Sequence, residues 1–131
     1  MRYVWLIAFL LVACGAEPTH APDVQGANIT WSGTFQELDP RLQAVYENTA
    51  TCLKVNFGIE RADVAPVFYE ATGAFLCGGT EALGCTVSDT AIYFQHWMSG
   101  ILSHETVHWI ARVGNEAHNN ILFTTCDQLV Q

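Results

Sequence analysis

The sequence predicts an α+β domain, in which one helix and a small antiparallel sheet are followed by a second helix that carries the chemistry. Three observations point there. Residues 42–53 repeat apolar side chains at helical spacing behind a capping signal, whereas residues 64–97 are rich in β-branched and aromatic side chains broken by Pro66 and Gly73. From Ser99 the period becomes helical again. At 131 residues there is room for one domain.

In chain order, "NITWSGTF" at 28–35 alternates apolar and polar residues and reads as a short strand. The first helix follows: Asp39 can cap it, Pro40 suits its first position, and Leu42, Val45, Tyr46, Thr49 and Leu53 share its inner side. Cys52 lies on that side too, and the helix should end between Asn56 and Gly58. "VAPVFYEA" and "GAFLC" read as strands. A turn from Gly78 to Gly84 leads into "TVSDTAIYFQHW", whose composition favours one further strand. In the second helix Ile101, Leu102, Trp109 and Ile110 face the core, and Gly114 is the expected left-handed terminator. Ile121, Leu122 and Phe123 suggest a short closing helix or turn.

The N-terminus reads differently. Arg2 and the apolar run from Tyr3 to Ala13 make a signal peptide, too short to span a membrane comfortably. Leu11, Val12, Ala13 and Cys14 resemble a bacterial lipobox, which implies cleavage after residue 13 and lipidation of Cys14. No Asp follows Cys14, so the resemblance implies an envelope lipoprotein anchored in the outer rather than the inner membrane. The expected divisions are therefore a leader at 1–13, a lipidated tether at 14–28 that is rich in Pro, Gly and small polar residues, and a domain at 29–131. The formal net charge of −8 repels nucleic acid and excludes it as a partner; a monomer is expected.

Four cysteines remain in the exported part: Cys52, Cys77, Cys85 and Cys126. An even set in an oxidising compartment implies two disulfides, with three pairings open. The turn-rich "GGTEALG" can join Cys77 to Cys85 locally, which would leave Cys52 and Cys126 to staple the first helix to the C-terminus. No CxxC spacing supports a cysteine metal site.

The second helix contains "HETVH". His104 and His108 are four apart, so both imidazoles lie on one helix face and can reach one Zn²⁺, with Glu105 projecting beside them toward an open position. A carboxylate there can take a proton from zinc-bound water and pass it to a leaving amine.

This motif is similar to the signature of the zincin metallopeptidases. The metzincin pattern would put a third His at position 114, which is Gly114 here; a glutamate-type third ligand has no Glu after Glu116 to use; an aspartate-type one would be Asp127. "GNEAH" offers another route, because Gly114 can reverse the chain and bring His118 back over the metal face. HExxH, a Gly-Asn turn, a His, Phe123 and Cys126 together resemble small bacterial lipoproteins regarded as zincin-type metallopeptidases. His118 is the leading third ligand, and Glu116 and Asp127 are the alternatives.

The resemblance implies a minimal zincin-like fold stapled by disulfides, a peptide or protein substrate, Zn²⁺ as cofactor and Glu105 as general base. It further implies that "TAIYFQ" is an edge strand for substrate, and that Tyr69 or Tyr93 stands near the oxyanion. His96 is either an outer group of the site or a strand-end surface residue, and His20 belongs to the tether. Two rivals come from other classes: a non-catalytic envelope lipoprotein with a structural or degenerate metal site that binds a partner, and a disulfide-stapled inhibitor or immunity factor.

Overall fold

The computed structural model describes residues 22–128; the leader, Cys14, His20 and most of the tether lie outside them. In chain order the elements are β1 (Val24–Gln25), β2 (Asn28–Gly33), α1 (Pro40–Phe57), β3 (Val67–Thr72), β4 (Phe75–Cys77), β5 (Thr80–Ala82), β6 (Cys85–Val87), β7 (Ala91–Gln95), α2 (Ser99–Ala111) and α3 (Ile121–Cys126). The class is α+β, as expected. No helix among the described residues is long and apolar enough to cross a membrane.

The first helix forms where its signals lie. The Asp39 carboxylate accepts from the Arg41 backbone N–H at 2.8 Å, Pro40 opens the first turn, and Gly58 closes the helix at φ 67°. Before it, Thr34 and Glu37 make a reciprocal cap on a single 3₁₀ turn.

The main sheet has the order β2-β3-β7-β6 and is mixed rather than antiparallel, because β3 and β7 run parallel, with Val67 opposite Ala91 and Ala71 opposite Gln95. A parallel pair needs a crossover of a dozen or more residues. The excursion through β4, β5 and β6 supplies it. The single strand expected over 86–97 is in fact a hairpin of β6 and β7, turned at Asp89 with φ 61°. A second sheet, β1-β4-β5, packs its own small core, with Val24 opposite Cys77. Val24, Gln25 and Asn28, expected in the tether, thus already belong to the fold, the first two along β4 and the third against β3.

Alternation along β3 and β7 divides the side chains between two faces. Phe68, Ile92 and Phe94 meet Leu53, Leu102, Val107 and Trp109 of the helices, whereas Ala71 and Tyr93 join Phe75 and Cys85 on the other side. Both disulfides close as the turn argument suggested: Cys77 with Cys85, and Cys52 with Cys126.

The end of α2 departs from expectation. Gly114 is extended (φ −90°, ψ −171°), and Arg112 instead takes the left-handed conformation at φ 55°. Side chains from the α1–β3 connection explain the shift. Arg112 is paired with Asp63, and the buried Arg61 guanidinium donates to the Trp109 carbonyl at 3.0 Å while stacking 3.9 Å over the Trp109 ring. The last turn of the helix is therefore satisfied before Gly114 is reached.

Candidate metal centre

α2 presents His104 and His108 to Phe123 of α3, and the chain returns through a 3₁₀ turn at Asn115–Ala117 to set His118 against them. His108 Nε2 lies 3.2 Å from His104 Nε2 and 2.9 Å from His118 Nε2. Around a tetrahedral ion with bonds of about 2.0–2.1 Å, neighbouring nitrogens stand roughly 3.3 Å apart, so the spacing matches a shared ion. Phe123 of α3 lies against all three rings, with centroids at 5.0, 4.8 and 5.4 Å from His104, His108 and His118.

The far side of two rings determines what the near side can do. His104 Nδ1 faces Asp127 Oδ2 at 2.6 Å, and His108 Nδ1 faces the Val113 carbonyl at 2.7 Å. Both partners accept, so in each neutral ring Nδ1 carries the hydrogen and donates it. Each Nε2 is then a bare lone pair. Two lone pairs about 3 Å apart repel unless a cation lies between them, and a single proton can bridge only two nitrogens. The third imidazole at the same point makes the cluster a set of three donors placed to hold a metal ion.

The fields at these residues follow their surroundings. Burial pushes the His108 imidazole down to about 4, helped by His104 and His118 and opposed by the Val113 hydrogen bond, so this ring is neutral and available as a ligand at physiological pH. For His104 burial also acts downward, but the Asp127 hydrogen bond and the charges of Glu105 and Asp127 carry it above its ordinary value. Burial pushes the Glu105 carboxyl up to about 7, against the Thr86 hydrogen bond, which favours the ionised form.

Of the other sequence candidates, Asp127 is fully buried behind His104, on Nδ1 rather than among the three Nε2 atoms. Glu116 falls on the 3₁₀ turn, its side chain outside the described part. Tyr69 and Tyr93 stack on each other at 4.6 Å, and Tyr93 packs with Phe75 on the sheet face turned from α2, so neither approaches the histidines. His96 pairs with Glu70 at 2.9 Å, in a cleft walled by Trp31 and Trp97 that shares no residue with the cluster. β7 is interior, and the edge strand beside α2 is β6. Sequence reasoning missed Thr86, Gly84 and the Val113 carbonyl, none of which carries a motif.

No family profile, curated protein or solved structure matches this chain. The fold and site thus define a class only: a disulfide-stapled α+β domain with a three-histidine cluster placed for a metal ion.

The role of Asp127 can be measured directly. Asp127→Asn keeps an acceptor near His104 but removes the charge, and metal affinity should fall by about 10- to 100-fold in competition with a chromophoric chelator. Equal affinity would show that the buried carboxylate does not serve the cluster.

Proposed function

We propose that this protein is an exported, lipid-anchored zinc metallopeptidase of zincin type, with His104, His108 and His118 as ligands and Glu105 as general base. The observation that carries the reading is the convergence of three imidazole Nε2 atoms, two of them from the helix that also carries Glu105. A set of three imidazoles is the ligand set of one class of catalytic zinc site, in which water takes the fourth position, and His118 is the exposed member of the cluster.

Zinc held there would supply Lewis acidity, lowering the pKa of a water and polarising the carbonyl that the water attacks. The protein's own part is positioning and proton transfer. Glu105 accepts a proton from the attacking water at its carboxylate; as the C–N bond breaks, the same carboxyl protonates the departing amine. Asp127 and the Val113 carbonyl keep the His104 and His108 rings turned with Nε2 inward. The leader and the lipobox at Cys14 support placement in the bacterial cell envelope, and the acidic charge excludes nucleic acid as substrate.

The test uses purified wild type and His118→Ala. Wild type should hold one equivalent of zinc and cleave members of a fluorogenic peptide library; chelation should stop cleavage and zinc should restore it. His118→Ala should lose most of the bound zinc at the same free concentration. Zinc without any hydrolysis would favour the non-catalytic lipoprotein, and a protein that binds no transition metal would remove both readings.

A further inference from the structure

Resting on the peptidase reading, we propose that Gly84, Cys85 and Thr86, at the start of the edge strand β6, form the seat that orients Glu105, with Thr86 as the positioning residue. Glu105 is 6 % exposed and sits on the α2 face turned toward that strand. A long acidic side chain so deeply buried has several rotamers to choose from. Something must select one.

Thr86 does so from a single atom. Its Oγ1 lies 2.7 Å from Glu105 Oε2 and 3.0 Å from the Glu105 backbone carbonyl, touching both ends of the same residue. A hydroxyl donates one hydrogen and accepts through two lone pairs. It can therefore donate to the carboxylate, or accept from the carboxylic acid while donating to the backbone carbonyl. The side chain is held in one place in either form, as a group that gains and then returns a proton requires.

Gly84 forms the other wall. A Cβ at this position would stand 2.7 Å from Glu105 Oε1, 2.8 Å from its Cγ and 2.6 Å from Ile101 Cγ2, closer than atoms can approach. Its φ is not in the left-handed region, so the need here is space rather than backbone freedom. Between the two, Cys85 is tied to Cys77 and paired across to Tyr93, which fixes the strand against which the carboxyl rests. The seat is thus a hydrogen bond, a close wall and a covalent anchor in three consecutive residues. Among the described residues Thr86 is the hydrogen-bond partner of the Glu105 carboxyl, while His104 and His108 direct their Nδ1 groups to Asp127 and the Val113 carbonyl.

The experiment compares Thr86→Val with Thr86→Ser. Val keeps the shape and removes the hydroxyl; Ser keeps the hydroxyl. With Thr86→Val, kcat should fall about 10- to 100-fold while KM and zinc content stay near wild type, and Thr86→Ser should restore most of the rate. A second measurement needs no activity. In urea unfolding of Thr86→Val, Glu105→Ala and the double variant, the two effects should fail to add, since the residues share one contact. Wild-type kcat in Thr86→Val, additive unfolding effects, or a rate loss that tracks zinc loss would overturn the inference. An inactive wild type would instead remove the peptidase reading, and the inference with it.

Discussion

Under the proposed peptidase mechanism, Glu105→Gln is expected to bind zinc as the wild type does and to lose hydrolytic activity. The amide has nearly the same shape as the carboxyl and can still accept from Thr86, so the fold around β6 and α2 should persist. What it cannot do is take a proton from water. General-base assistance is worth about 10²–10⁴ in rate, and the loss should appear in kcat at one bound equivalent of zinc per chain. Metal analysis and steady-state hydrolysis on one preparation separate the two effects. Hydrolysis at the wild-type rate would exclude Glu105 as the base. A loss of zinc in step with activity would instead make Glu105 a structural support for the helix.

The second large effect concerns the Cys52–Cys126 bond. It joins α1 to the last residue of α3 across a sequence separation of 74, and closing a loop of that size is worth about 4 kcal/mol in the chain-entropy model. Replacing both cysteines by Ser should lower the thermal midpoint strongly. The damage should also reach the site. A helix of six residues has no stability of its own, and this one carries Phe123 against the three imidazoles and leads directly into Asp127. The double variant should therefore lose metal affinity in addition to stability, measurable by chelator competition below its melting range. A variant that melts early but binds metal as wild type does would confine the bond's role to the fold.

How much of this could be read from the residues alone depended on whether the signal was local. The α1 boundaries were legible because Asp39, Pro40 and Gly58 act on their own backbone neighbours. His104, Glu105 and His108 were legible for the same reason: one turn of helix fixes their relative directions whatever surrounds them. The direction of β7 was not, because alternation tells which side chains share a face but not which way a strand runs beside its neighbour. The stop at Arg112 was hidden too, since it depends on Asp63 and Arg61, about fifty positions earlier in the chain. Tyr69 and Tyr93 looked suitable for the site by chemistry, and only strand parity puts them on the far face. Asp127 was weighed as a ligand. Its actual contact, behind His104, is a matter of where a six-residue helix ends.

The hydrogen bonds from His104 to Asp127 and from His108 to Val113 have a thermodynamic consequence. Because the fold already turns these rings, an incoming ion need not select their rotamers, and loading differs from the coupled folding of a zinc finger, where chain and metal order together. The fold instead holds the His104 and His108 lone pairs together against their mutual repulsion, and an ion bound there would relieve that repulsion. By mass-action linkage, the stability of a chain that binds metal there would rise with the logarithm of free metal above the dissociation constant, and its heat resistance would become a readout of the metal supply around it.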